Sequence, residues 1–383
     1  MQESLTPPAA SDSPEKESAA PEQTGAGEPV QPKPTRVRLN YFDYFRAFAI
    51  IVIVVGHSYW PWQQDTPYEL TLGNLITGGT AMFVFISGFF FHHVFYPRYH
   101  YRKFLTKKAK AVFLPYLILS VLGFLVIVVA LDESHRYLER QSGDLVHNVK
   151  LLIQYVWTGR ILTAYWYIPF ITIVFLMSPM FIRYIKLPAA WQGGILLAWM
   201  GVSMWVHRPL AQISPIHSVV YFVPFYMLGI VVSQHQTKVL EVIRNRTVLL
   251  GLIVLGIAAA QAFFVGQQGN YEKKSMLAYN GIDLMLLQKI ALIFFALSLL
   301  SKIDHLELRW LKFIASCSFA LFFIHPWVLF GLHYFDTTDY LEPMVPGGLI
   351  FPIKAVIVFG LSLVVSIAVK QALGKRSKYV IGW

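Results

Sequence analysis

The chain has almost nothing with which to build a covalent or metal-held framework. One cysteine, Cys317, stands in 383 residues, which excludes an internal disulfide network and any multi-cysteine metal site. Charge is scarce: Asp, Glu, Lys and Arg make up 14% of the chain against 56% hydrophobic residues, and mean hydropathy is +0.52. That is too little polar surface to cover soluble domains of this length. No short repeat, Gly-rich phosphate loop, metal-ligand cluster or serine–histidine–acid order stands out. No basic segment leading into a short apolar core opens the chain, so a cleaved signal peptide is not expected and the first span should direct insertion itself.

What is present is a succession of apolar runs. From Tyr41 onward, ten runs long enough to cross a hydrocarbon core, about 20 residues each, are expected at 42–60, 73–95, 112–131, 162–183, 190–206, 218–234, 248–267, 281–301, 313–333 and 349–370. The sequence therefore predicts an all-α, polytopic membrane protein with about ten transmembrane helices. Residues 1–35, rich in Pro, Ser, Ala, Glu and Gln, read as a disordered tail; residues 36–375 form the membrane-embedded domain, and 376–383 a short C-terminal tail. The apolar stretch Leu145 to Trp157 is too short for a crossing and reads as an interfacial or re-entrant helix.

Charge orients this topology. With the N-terminus inside, 22 of the 32 Lys and Arg fall on the inner side, seven on the outer side, and three (Arg46, Lys289, Lys354) within spans. Basic residues accumulate on cytoplasmic loops, so both termini are expected in the cytoplasm. The formal charge of +11 is then topology plus attraction to anionic membrane lipids; no nucleic acid is implied.

Ionisable groups inside spans are expensive and mark function more often than other intramembrane residues do. The first span carries Asp43, Arg46 and His57. Arg46 and His57 are eleven positions apart, about 16 Å of rise and close to three whole turns, so they face the same way. Asp43 and Arg46, at i and i+3, are spaced to pair. The competing reading has Arg46 snorkelling to the inner interface and His57 merely ending a span beside Tyr59 and Trp60.

The run Phe42-Asp43-Tyr44-Phe45-Arg46 through His57 resembles the opening Arg-x10-His motif of the integral-membrane acyltransferase 3 family, O-acetyltransferase-type enzymes that modify surface glycans. Further matches follow in the family's order: Gly78 through Phe89 with Ser87-Gly88-Phe89, the basic stretch Arg102 to Lys110 closing on Pro115-Tyr116, Tyr165-Trp166-Tyr167-Ile168-Pro169, Phe222 to Gly229, and Ser318 through His325-Pro326. The similarity covers roughly residues 38–372. The chain departs from the pattern with Lys107, Lys108 and Lys110 where arginines are common before the Pro-Tyr, and with Phe319 and Phe322 at tyrosine positions.

The resemblance implies acyl transfer from a coenzyme A thioester, most often acetyl-CoA, to a sugar hydroxyl of a cell-envelope glycan or lipid-linked sugar. It implies an inner, cytoplasmic membrane location and no permanently bound cofactor. Acyl-CoA would enter at the basic inner face, where Arg46, Arg102, Lys103, Lys107 and Lys108 supply cations for its phosphates; for the loop residues the positive-inside rule is the competing explanation. His57 would be catalytic, either as general base toward the acceptor hydroxyl or as a transient acyl carrier. Asp43, Ser87, Trp166 and His325 are candidates for supporting roles, with small-residue packing the alternative for Ser87 and backbone satisfaction next to Pro326 the alternative for His325. His207 and His217 flank an outer loop within reach of a glycan, Asp283 and Lys289 do not share a helical face, and Lys354 is expected to snorkel. A multi-span transporter or glycan exporter is the alternative function class, and a structural part of a polysaccharide assembly a further one.

Overall fold

The computed structural model describes residues 39–59, 66–135, 138, 145–266, 269, 272–273, 275–278, 281–335 and 347–383; the tail expected at 1–35 lies outside them. The described chain is all-α. Its helices are α1 (Asn40–Ser58), α2 (Pro67–Ile76), α3 (Thr80–Phe90), α4 (Tyr101–Lys108), α5 (Leu114–Gly123), α6 (Leu145–Thr158), α7 (Tyr167–Leu176), α8 (Ser178–Ile185), α9 (Ala189–Val206), α10 (Pro215–Gln234), α11 (Gln236–Ile243), α12 (Thr247–Ala260), α13 (Leu284–Lys302), α14 (Arg309–Ser316), α15 (Ser318–Tyr334), α16 (Gly347–Leu373) and α17 (Ser377–Val380). Among the described residues the only strands are Arg208–Pro209 and Glu272–Lys273, paired in parallel.

Among the described residues, seven helical segments are long and apolar enough to cross a membrane, and nine if each of two bent pairs counts as one span. The bends are 57° between α7 and α8 and 68° between α14 and α15. Pro179 explains the first: it occupies the opening turn of α8, where its missing N–H costs nothing. The expected span at 190–206 is the one outside that count; it corresponds to α9, whose 18 residues include two adjacent glycines and three tryptophans that dilute its apolarity. Its Trp191, Leu197 and Trp205 are nonetheless exposed, as side chains facing lipid would be. The second expected span is interrupted between α2 and α3 at Thr77 to Gly79, with Gly78 at φ 79°, a conformation that favours glycine.

Local sequence sets the helix starts. Thr66 and Glu69 form a reciprocal capping box ahead of α2, with Pro67 in its first turn. Asp283 accepts from the Leu286 N–H at the start of α13 and from the Tyr221 hydroxyl at 2.8 Å, so this intramembrane carboxylate is a cap and a helix tie. The Asp304 carboxylate accepts the Tyr41 N–H at 2.8 Å, and the Tyr44 hydroxyl donates to the Leu306 carbonyl while accepting the Leu308 N–H. The start of α1 is thereby fixed to the loop before α14.

The tightest crossing lies between α3 and α10. A Cβ on Gly88 would sit 1.9 Å from the Tyr226 carbonyl oxygen, and one on Gly229 would sit 2.1 Å from that of Phe85. Two bare backbones meet there, as small-residue interfaces in lipid require. Helix α6, 14 residues and about 21 Å long, buries Leu151 and Tyr155 while exposing Val149, Ile153 and Trp157, the amphipathic pattern read from its sequence. The C-terminal segment folds back: Ile381 is buried against Ala320 and Ile324 of α15.

Candidate active site

The two ionisable residues of α1 turn inward and meet the same helix. Arg46 Nη2 donates to Ser318 Oγ at 3.0 Å, and His57 Nδ1 lies 3.2 Å from His325 Nε2. Ser318 and His325 are seven residues apart on α15, two turns and about 10 Å along one face. Both contacts run in the same chain direction, so α1 and α15 are parallel neighbours. Neither Arg46 nor His57 is a lipid-facing side chain, and snorkelling does not describe them. Asp43 lies one turn before Arg46, half-buried.

Hydrogen bonding orders the two imidazoles. His325 Nδ1 lies 2.8 Å from the Leu321 carbonyl, which can only accept, so that nitrogen carries the proton. Its Nε2, when the ring is neutral, is then an acceptor. The donor facing it is His57 Nδ1–H, which leaves the lone pair of His57 on Nε2. The rings lie with centroids 5.2 Å apart and planes 28° from parallel. Pro326, inside α15, has no N–H to offer the Phe322 carbonyl one turn back. The backbone-satisfaction reading of His325 is therefore true of one nitrogen and incomplete for the other.

Two tyrosines clamp this part of α15, with a tryptophan between them. Tyr165 donates to the Phe323 carbonyl at 2.9 Å and accepts Trp327 Nε1–H at 3.1 Å. Tyr167 packs edge-on against Phe322, itself beside His325, and its hydroxyl lies 3.4 Å from Ser87 Oγ. Trp166, between them, is buried and stacks on Phe170. Its indole is a platform: the Arg208 guanidinium sits 5.3 Å above it and 5.7 Å from the Phe222 ring.

Arg46, Ser87 and His57 keep partial accessibility. On the face of α1 between Arg46 and His57, however, Ile50 and Ile53 are buried. The spacing predicts an open wall along α1; packing closes its middle, and Ser87 on α3, between Phe85 and Phe89 that pack on Phe45 and Phe42, lies at the Arg46 end.

The basic residues separate into two groups. Arg102, Lys103 and Lys107 are exposed on α4. Lys108 turns in, its ammonium 4.6 Å from the Phe175 ring and 4.8 Å from that of Phe95, within electrostatic reach of Arg46. The two cations share one end of the site. Lys289, buried, donates to the Asn74 and Leu75 carbonyls at 3.0 and 3.4 Å, covering the end of α2. His207 and His217 are buried, and the Nε2 of each is bonded to a backbone carbonyl, of Gly281 and Val206 respectively.

Sequence reasoning passed over Arg160 and Arg208, counted only as outer-loop charges. Arg208 lies over Trp166 and Phe222, and Arg160 bonds the His135 ring. The signal was there: arginine is uncommon on the side from which basic residues are depleted.

With this geometry in view, comparison with known families is decisive. The model of an acyltransferase domain, acyltransferase 3, matches residues 39–370. The chain belongs to the membrane acyltransferase 3 family. The match covers α1 through almost all of α16, so every residue of the site lies inside it. No curated protein and no solved structure matches the chain.

Proposed function

We propose that this acyltransferase is an O-acyltransferase of the inner membrane. It moves an acyl group, acetyl in the first instance, from acetyl-CoA or another acyl-CoA to a hydroxyl of a cell-envelope glycan or lipid-linked sugar. The observation that carries the reading is the ordered chain from the Leu321 carbonyl through His325 to His57, which directs a basic nitrogen away from its support. An acceptor hydroxyl is a weak nucleophile, and that nitrogen is the group able to activate it.

Arg46 and Lys108, at the cytoplasmic end, bind the phosphates of the donor, with the exposed Arg102, Lys103 and Lys107 attracting it to the surface. The pantetheine arm reaches past Ser87 toward His57. In one route His57 Nε2 takes the hydroxyl proton as the oxygen attacks the thioester carbonyl. Collapse of the tetrahedral adduct breaks the C–S bond, and the departing thiolate takes the proton back. In the other, His57 Nε2 attacks first and coenzyme A leaves as the thiolate; the hydroxyl then displaces the acyl group from the acyl-imidazolium, and its proton passes by way of the freed Nε2 to solvent, where the thiolate is protonated. In both, His325 holds the ring and accepts from its Nδ1–H.

The bent spans α7–α8 and α14–α15 favour a second reading, since discontinuous helices are the usual binding elements of transporters. Membranes incubated with radiolabelled acetyl-CoA separate the two. Label entering glycan with the wild type and not with His57→Ala supports acyl transfer; equal labelling by both, or solute flux with no labelling, supports transport.

A further inference from the structure

The loop that follows α9 is held in an unusual way. His207, Ala211 and Gln212 have positive φ, at 57°, 45° and 58°, a conformation that non-glycine residues rarely adopt and that tends to persist where the surroundings enforce it. Enforcement is visible here: the His207 ring bonds the Gly281 carbonyl at 2.8 Å, Pro209 is buried, and the backbone of Arg208 and Pro209 pairs with that of Glu272 and Lys273. What this loop presents is Arg208, laid over Trp166 and Phe222. Stacked guanidinium groups are pre-oriented for planar, two-point recognition of carboxylate or phosphate.

A second strained turn brings a second arginine. Gly159 has φ 68° and a Cβ there would lie 2.5 Å from the Trp166 Cα, so the chain doubles back tightly onto the residue on which Arg208 rests. Arg160 follows, bonded through Nη2 to His135 Nε2 at 2.9 Å. The two arginines, 48 positions apart in sequence, are thus brought to Trp166, whose chain neighbour Tyr167 packs on Phe322 beside His325. Lys289, nearby, is committed to the carbonyls that close α2.

These cations cannot serve the donor's phosphates, because Arg46 and Lys108 stand at the other end, about 16 Å of helix rise from His57. From this we infer that Arg208, supported by Arg160, forms a subsite beside His57 for an anionic group of the acceptor, a carboxylate or a phosphate. The inference rests on the acyltransfer reading and deepens it: the natural acceptor is an acidic sugar or a sugar carrying a phosphate, as a uronic acid or a lipid-phosphate-linked sugar does.

Full-length protein in phospholipid vesicles, given acetyl-CoA and one of three acceptors, tests this by the rate of coenzyme A release and the mass of the product. The acceptors are decyl glucoside, decyl glucuronide and a decyl glucose phosphate. The wild type is expected to favour at least one acidic acceptor over the neutral one in kcat/KM by about tenfold or more, the scale of one charge-assisted hydrogen bond; which acidic acceptor wins identifies carboxylate or phosphate. Arg208→Gln is expected to collapse that ratio toward unity, chiefly through acceptor KM. Arg208→Lys, which keeps charge but loses the stacked fork, is expected to lower it by about threefold and serves if the glutamine variant does not fold. Equal use of neutral and acidic acceptors by the wild type, or an unchanged ratio in either folded variant, overturns the subsite. Absence of His57-dependent coenzyme A release with every acceptor overturns instead the acyltransfer reading beneath it.

Discussion

Replacing His325 with alanine isolates the contribution of imidazole order from that of the reacting base. The substitution removes the acceptor 3.2 Å from His57 Nδ1 and with it the side-chain contact that orients the ring from α15. A positioned general base contributes about 10²–10⁴ in rate, and an unoriented ring forfeits much of it, so kcat is expected to fall by about 10²-fold. That corresponds to about 2.7 kcal/mol of transition-state stabilisation. KM for acyl-CoA should change little, since Arg46, the proposed donor contact, is left in place. His325→Gln supplies the needed rescue arm: an amide oxygen in the same place can accept from Nδ1–H, and part of the rate, about tenfold, is expected to return. The assay is coenzyme A release by protein in vesicles, with thermal melting of each variant to set aside loss of fold. A folded His325→Ala protein with kcat within threefold of the wild type, or a glutamine variant no better than alanine, would refute the ordered-imidazole argument.

Three further outcomes follow from the same geometry. Arg46→Ala is expected to raise acyl-CoA KM by about tenfold or more through loss of a charged donor contact, with Arg46→Lys intermediate; titration of initial rates against acyl-CoA measures it, and an unchanged KM would remove Arg46 from donor binding. Arg102→Gln and Lys103→Gln, at exposed positions, are expected to weaken donor capture by no more than about threefold each and to lose that effect at high salt, read from the salt dependence of kcat/KM. Gly88→Ala forces apart the α3–α10 crossing, because the new methyl meets backbone 1.9 Å away; overpacking of this kind costs about 1–3 kcal/mol or more, seen as a lower melting temperature in detergent, whereas Gly256→Ala, with open space around its Cβ, should leave melting unchanged.

Much of this architecture was legible because the bilayer imposes simple requirements. Runs of apolar residues had to be spans, and the eleven-position separation of Arg46 and His57 had to place them on one face of a helix. The helical membrane class survives the structure, with seven to nine candidate spans among the described residues against the ten expected and α9 outside that count, and Arg46 and His57 both meet α15. What could not be read was contact between distant segments. His57 and His325 lie 268 positions apart, and nothing in a single sequence ties them; the same holds for Arg46 and Ser318. Buried Ile50 and Ile53 close the wall that helical spacing alone leaves open, since spacing gives direction but not what packs opposite. Arg208 was hidden for a different reason. Its importance comes from a strained loop and an aromatic platform drawn from α7 and α10, while in the sequence it is one charge in an outer loop, where charges are normally solvated.

The most direct test is a structure of the full-length protein bound to a non-hydrolysable acyl-CoA analogue. The phosphates are expected against Arg46 and Lys108, and the carbonyl carbon of the thioester mimic about 3–3.5 Å from His57 Nε2, the separation of a reactive complex. Phosphates bound elsewhere, or a carbonyl beyond reach of His57 while His325 still holds its ring, would contradict the account.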